Sequence, residues 1–227
     1  MPTKDEILAK LEEDKHAYCS ADLSGVDLSG ASLIDVDFFD TDLTNAKLDN
    51  AILDGACLDA ANLEGASLKK ASLLKAKLEE AKLIKANLTD ANFHEALLPD
   101  VVLDDSILKN TIFTKCDMGN ASLYEVKGEG ANFSGSKLSL ASLDYSDLNS
   151  TDFTYCNLQF ASLRETNLKG AIMKKALLKE ARLIKTNLEG ADLSGAIFEG
   201  ADLKDAILVG AITVGTIWKG VKNRPTI

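Results

Sequence analysis

A period of five residues constrains the fold of this 227-residue chain more than any other feature. Of the 39 positions spaced by five from Leu23 to Thr213, 29 are leucine and eight are phenylalanine or methionine, so only Gly128 and Thr213 depart from the rule. A small residue stands two positions before each of these centres, and it is alanine in 25 of the 39 units. Because no insertion shifts the register, one structural unit must recur along nearly the whole chain.

Neither a helix nor a long flat strand can bury residues spaced by five. In a helix, each step of five turns the side chain by about 140°, so the leucines would not form a stripe. In a strand, an odd period would alternate the leucines between the two faces. A short extended piece followed by a turn does work, because the small residue and the leucine then both point inward and the residue between them points outward. Four such corners close a square coil of about 20 residues.

The units follow the pattern A(D/N)LXX, and four of them show it letter for letter: ADLSG at 21–25, ANLEG at 61–65, ADLSG at 191–195 and ADLKD at 201–205. In this repeat the chain resembles the pentapeptide-repeat family over residues 21–218, and in character its leucine-centred cyanobacterial-type members. The resemblance implies an all-β fold, a right-handed quadrilateral β-helix of about ten coils with a filled core. At about 4.8 Å per coil, the rod would be about 45 Å long.

The two ends of the solenoid differ from the repeat. Residues 3–6 (TKDE) have the form of a capping box, and apolar residues at 7, 8 and 11 follow on one helical face. We expect a helix over residues 4–15 that covers the first coil; the alternative is a helix that binds a partner. The predicted segments are an N-terminal cap at 1–20, the solenoid at 21–218 and a C-terminal tail at 219–227.

Apolar residues replace polar ones on the outside near the C-terminus. Such clustering usually marks an interface, and we predict a homodimer contact through this end. The alternative is that the tail at 219–227 folds back over it. The candidate contact residues are Ile207, Val209, Ile212, Val214, Ile217 and Trp218.

Two features of the core are predicted from the spacing. Gly128 removes a core side chain, and a local backbone irregularity is expected there rather than a ligand pocket. Phenylalanines spaced by 20 should stack as one internal ladder, which carries no chemistry. They are Phe93, Phe113, Phe133 and Phe153.

The sequence predicts no catalytic residue, no cofactor and no metal site. Cys116 and Cys156 occupy inward positions about 9.6 Å apart, too far for a disulfide, and Cys57 points outward. The cysteines lack CxxC spacing, and His16 and His94 stand alone. No nucleophile, base and orienting group converge, so the chain is not expected to be an enzyme.

The charge is distributed unevenly around the coil. Residues 20 apart share a face, and we name the four faces after their first centres: the Leu23, Leu28, Leu33 and Phe38 faces. The Leu23 and Phe38 faces are consecutive and carry −9 of the net charge of −10. Together they form what we call the acidic side, a candidate surface for a protein with a basic surface. The candidate residues are Asp37, Asp40, Asp59, Glu79, Glu80, Asp100, Asp104 and Asp105.

These features predict a non-enzymatic scaffold or regulator that binds another protein. The charged N-terminus and the lack of a long apolar run favour the cytoplasm. The acidic charge argues against direct contact with nucleic acid or an anionic membrane. An alternative comes from the resemblance, because some pentapeptide-repeat proteins look like B-DNA in shape and charge and bind DNA gyrase, which they protect or inhibit.

Overall fold

The structure is a computed structural model that describes residues 2–225. Parallel bridges join residues i and i+20 without interruption, from the pair Asp22–Asp42 to the pair Asp202–Lys222. Each bridge is a single residue pair, so the described chain pairs through isolated bridges and not through extended strands. The 20-residue step means that four five-residue units make one turn of the solenoid, and the pairing reaches four residues beyond the predicted boundary at 218.

Every corner turns at a residue with positive φ. The angle lies between 52° and 72° at every fifth residue from Ser20 to Gly220. The next N–H returns to the carbonyl of the centre, as Val26 does to Leu23 at 3.1 Å. Glycine adopts this conformation without strain, yet 28 of these 41 corners carry another residue. Asn and Asp occupy many of them, in keeping with their tolerance of left-handed backbone.

The centres and the small residues fill the interior, and nearly all of them are fully buried. The predicted phenylalanine ladder is confirmed, with ring centroids 4.9, 5.0 and 5.1 Å apart from Phe93 through Phe153. Threonines in the small inward position are buried too, and their hydroxyls donate to carbonyls 23 residues earlier, as Thr111 does to Leu88 at 2.7 Å. The core is therefore apolar, and its buried hydroxyls bond to the backbone except that of Ser106, which has no hydrogen-bond partner among the described residues.

The backbone is regular at Gly128, and the predicted irregularity is wrong. The Gly128 N–H donates to the Asp147 carbonyl at 2.8 Å, and Lys127 forms bridges on both sides. A Cβ at Gly128 would lie 2.7 Å from Leu148 Cδ2. Leu148 from the next coil thus occupies the missing volume, and the ladder of hydrogen bonds continues.

Helix α1 (Lys4–Glu13) covers the first coil, as predicted, and the capping box closes its first turn. It ends two residues earlier than expected, where Asp14 becomes extended with φ −145°. Ile7 and Leu11 are buried and join the solenoid core. Among the described residues, no helix has the length and apolar character needed to cross a membrane.

The C-terminal end lacks a helical cover within the described residues. Val209 and Val214 are 71% and 75% exposed, and Ile207, Ile212 and Ile217 are about half exposed. Trp218 differs from the other five predicted contact residues: it is half-buried, its ring stacks on Phe198 at 4.8 Å, and the Arg224 guanidinium lies 4.4 Å above it. The described part of the tail therefore folds back over Trp218 and leaves the flanking aliphatic residues free.

Candidate interaction surface

The eight predicted acidic residues all reach the surface. Six of them lie on the Phe38 face, whereas Asp104 and Asp105 lie at the far corner of the adjoining Leu23 face. Asp40, Glu80 and Asp100 occupy equivalent corners with positive φ, so their carboxylates project in one column along the rod. The solenoid thus brings the predicted residues onto one side, although Asp104 and Asp105 are separated from that column by the width of a face.

The charge of the acidic side is confined to its N-terminal part. Within residues 21–120 the two faces carry twelve acidic and three basic residues, net −9; within residues 121–220 they carry seven of each, net zero. We call the first part the acidic half. Over residues 21–120 the opposite side is balanced, with six acidic and six basic residues. The acidic half is therefore bounded both around the coil and along the rod.

Few of the carboxylates in the acidic half have an internal cation. Among residues 2–225, only two of the twelve have a basic side chain within 4 Å: Asp37 lies 2.7 Å from His16, and Asp117 lies 2.9 Å from Lys137. On the C-terminal half of the same side, pairs such as Glu165–Lys185 at 3.0 Å neutralise most of the charge. Ten carboxylates are consequently left for an external cation.

The surface of the Phe38 face is not flat within the acidic half. A shallow depression of about 200 Å³ is lined by the apolar residues Leu97 and Pro99 and by the acidic residues Asp59, Glu79 and Asp117. Lys77 also lines it. A lining that combines apolar and acidic groups suits the methylene stem and charged end of a lysine or arginine side chain.

Sequence reasoning missed a group of large side chains at the corners of the C-terminal half. Among the 28 corners that are not glycine, only Leu140, Tyr145, Tyr155 and Phe160 carry a large apolar or aromatic residue. Leu140 and Phe160 are 60% and 51% exposed and lie one coil apart on the corner shared by the two acidic-side faces. We call this pair the apolar corner. A comparison of the residue types at the fifth position of every unit would have revealed this pair.

Tyr145 lies at the next corner, across the Leu23 face from the apolar corner. Its ring makes an edge-to-face contact with Tyr124 at 5.4 Å. Arg164 lies beside it, and a hydrogen bond with Tyr145 together with the Asp144 carboxylate raises the pKa of the guanidinium. The C-terminal half of the acidic side thus presents apolar and aromatic groups where the N-terminal half presents carboxylates.

The structure also brings together three residues that the sequence did not connect. His16 Nδ1 lies 2.7 Å from Asp37 Oδ2, and these atoms and Cys19 Sγ all lie within 4.8 Å of one another. Burial opposes ionisation of Asp37, but hydrogen bonds from the Phe39 N–H and from His16 hold the pKa of its carboxyl below the ordinary value. The spacing suggested that His16 stands alone, and the structure corrects this expectation.

The four cysteines are free thiols in two environments. Cys116 and Cys156 are buried as predicted, and burial raises the pKa of Cys116 to about 12 and that of Cys156 as well. Cys19 and Cys57 are half-buried at the surface. Burial and nearby carboxylates raise the pKa of both surface thiols, which makes them poor nucleophiles.

A model of the pentapeptide repeats matches the chain with eight copies, at residues 20–59, 56–94, 86–124, 131–170 and 171–210. The chain belongs to the pentapeptide repeat family. Its members fold as right-handed quadrilateral β-helices and are generally non-enzymatic interaction scaffolds. The matches leave out residues 125–130, the segment in which Gly128 replaces a core side chain.

Several solved pentapeptide repeat structures are similar to this chain. HetL, involved in heterocyst differentiation regulation in the cyanobacterium Nostoc sp. strain PCC 7120, is 27% identical over all of both chains, with a TM-score of 0.36. Full-length QnrB1, a plasmid-mediated fluoroquinolone resistance protein, is 18% identical over 73% of this chain and 90% of its own, with a TM-score of 0.42. Rfr23 from the cyanobacterium Cyanothece 51142 is 20% identical over 93% of this chain and 96% of its own, with a TM-score of 0.19. No curated protein matches the chain.

Proposed function

We propose that this pentapeptide repeat protein is a non-enzymatic scaffold that binds a partner protein with a basic surface through its acidic half. The observation that carries the proposal is that ten of the twelve carboxylates in this half have no basic side chain within 4 Å among residues 2–225. Holding like charges together without internal partners costs free energy, and a basic partner would offset that cost. The cytoplasm is the proposed compartment, in keeping with four free thiols.

The apolar corner supplies a second anchor for the same partner. Leucine and phenylalanine at positive φ are strained, and both side chains stay more than half exposed. Exposed apolar groups surrounded by polar surface mark protein-interaction sites. Because the apolar corner and the acidic half lie on one side of the rod, a partner that carries a basic region next to an apolar one would contact both.

The test compares two charge reversals with the same local geometry. Glu80→Lys/Asp100→Lys changes two corners of the acidic half, and Asp35→Lys/Asp90→Lys changes two corners of the opposite side; all four residues have φ between 55° and 59°. Proteins captured from the native host by the wild type should be lost with the first variant and kept with the second. Capture that both variants reduce equally would contradict the proposal.

A second candidate function is mimicry of DNA toward DNA gyrase, and the confinement of charge favours it. Five coils at about 4.8 Å cover about 24 Å, over which duplex DNA carries about 14 charges. The acidic half concentrates a net charge of −9 in that length. If the protein acts on gyrase, purified protein should alter supercoiling at micromolar concentration, and Glu80→Lys/Asp100→Lys should abolish the effect. No effect of the wild type would remove this candidate and leave the scaffold proposal intact.

We further propose that the C-terminal end forms a homodimer contact. The flanking aliphatic residues, Val209 and Val214 above all, support it because a monomer would leave them in water. Trp218 contributes from beneath, since its ring already packs on Phe198.

A further inference from the structure

The cluster of His16, Cys19 and Asp37 lies where the N-terminal cap joins the first coil, away from the surfaces described above except for Asp37. One potential ligand atom from each side chain lies within 4.8 Å of the other two. The atoms are an imidazole nitrogen, a thiol sulfur and a carboxylate oxygen. These are the three donor types found in zinc sites.

Backbone contacts already hold the three side chains in place. The Cys19 N–H donates to the His16 carbonyl at 3.1 Å, so a turn places both residues on one side of the segment. The Asp37 N–H donates to the Lys15 carbonyl at 3.0 Å, which docks this segment on the first coil. Asp37 Oδ1 accepts the Phe39 N–H at 2.9 Å, and this orients the carboxylate with Oδ2 toward His16. These contacts therefore bring the three residues together without an ion.

We propose that His16 Nδ1, Cys19 Sγ and Asp37 Oδ2 bind one Zn²⁺ ion. Tetrahedral zinc with bonds of about 2.0–2.3 Å separates its ligands by roughly 3.3–3.8 Å. The 2.7 Å contact between His16 and Asp37 must open by roughly 0.6 Å to reach that range. The side chain of His16 is 71% exposed, so it is accessible to solvent and water can take the fourth position.

Binding replaces the proton of the Cys19 thiol with the metal and releases that proton to solvent. The bound ion would join the cap segment to the solenoid through side chains, in addition to the backbone contacts. We therefore expect Zn²⁺ to stabilise the N-terminal end. Because the ligand set includes a thiolate and an imidazole, zinc should bind in preference to Mg²⁺ or Ca²⁺.

Cobalt(II) reports the proposed ligand set directly. Titration of the reduced full-length protein with Co²⁺ should produce a thiolate-to-cobalt charge-transfer band and tetrahedral d–d bands that saturate at one equivalent, and Zn²⁺ should abolish them. Cys19→Ser should remove the charge-transfer band. Asp37→Asn, which can still accept the Phe39 N–H, should weaken binding by at least the roughly 10- to 100-fold seen when an outer hydrogen-bond partner is removed.

Cys57→Ser is the matched control, because Cys57 is the other half-buried thiol and lies one coil above Asp37. Its Sγ donates to Asp59 at 3.6 Å. The Cys57 thiol also helps to lower the pKa of the Asp37 carboxyl, but it is not one of the three clustered donors, so the band should persist. A thermal melt gives a second readout: Zn²⁺ should raise the midpoint of the wild type and of Cys57→Ser but not of Cys19→Ser. No band with excess Co²⁺, or a band lost with Cys57→Ser and kept with Cys19→Ser, would overturn the proposal.

Discussion

The two ends of the rod differ in how far their terminal coil is covered. At the N-terminal end, α1 lays Ile7 and Leu11 on the core, where they are 0% and 3% exposed. At the C-terminal end, the corresponding apolar residues flank the last coil and remain in solvent, with Val214 75% exposed. A repeat that binds only its neighbours leaves an apolar surface at each end, and here the chain covers only one of them with its own helix.

The hydrogen bonds of the backbone differ between the two ends in the same way. At the N-terminal end, the ammonium groups of Lys4 and Lys15 donate to the Ser29 and Ile34 carbonyls of the first coil. At the C-terminal end, the N–H groups of Gly210, Gly215 and Trp218 have no acceptor among residues 2–225. Unpaired edge groups beside apolar side chains are what another chain can pair with. Within residues 2–225, the N-terminal end is therefore covered and the C-terminal end is not.

The largest effect on stability is expected from a variant that weakens the cover of the N-terminal end. Leu11→Ala should lower the free energy of unfolding by about 3 kcal/mol, because truncation of this buried side chain leaves a cavity between α1 and the first coil. Leu8→Ala is the matched control on the same helix, since Leu8 is only half-buried. Chemical denaturation of both variants gives the comparison. Equal losses for the two variants would mean that α1 does not cover the core through Leu11.

Charged residues placed at the exposed C-terminal end should change the self-association of the protein and leave its fold intact. In Ile212→Lys/Val214→Lys, two exposed aliphatic residues gain charge, and a homodimer through this end should dissociate at micromolar concentration. Ile172→Lys is the control, because Ile172 lies in the same column as Ile212 two coils earlier and is 39% exposed. Unfolding should shift by no more than about 0.5 kcal/mol in either variant. Light scattering after size exclusion measures the mass, and a monomeric wild type would refute the dimer.

The sequence predicted the repetitive part of the fold well because the residue types within each five-residue unit indicate which of its side chains are buried. The 20-residue step, the phenylalanine ladder and the capping box all follow from spacing. Gly128 was misread because its missing side chain is replaced by Leu148, which is distant in sequence and adjacent in space. The His16–Cys19–Asp37 cluster was missed for the same reason. His16 and Cys19 come from the cap and Asp37 from the first coil, and no local spacing connects Asp37 to the other two.

The apolar corner was missed for a different reason. Leu140 and Phe160 occupy the turn position of their units, where the repeat requires positive φ but does not fix the polarity of the side chain, so the pattern of centres contains no information about them. The acidic side, in contrast, could be predicted because charge adds along a face. Its confinement to residues 21–120 was overlooked because the charges were summed over the whole rod.

The smallest expected effect is the response of the two ends to acid. Hydrogen bonds from Thr3, the backbone N–H foremost, hold the pKa of Glu6 below its ordinary 4.5. At the other end, the Asn223 side chain is the main cause that holds the pKa of Asp202 below its ordinary 3.8. A carboxyl with a lowered pKa stabilises the fold above its ordinary pKa, and this contribution is lost as the pH falls through the lower, folded value.

Both ends should therefore loosen in acid, the first turn of α1 around Thr3 and the last bridge around Lys222. Amide hydrogen exchange, corrected for its intrinsic pH dependence, should be faster at these sites at pH 3 than at pH 6 relative to the central coils. Glu6→Gln should remove the acid response at the N-terminal end alone, and Asp202→Asn at the C-terminal end alone. If either variant kept the acid response of its own end, the capping carboxylate would not be the cause of that response. The loosening in acid would then be a common response of the whole rod.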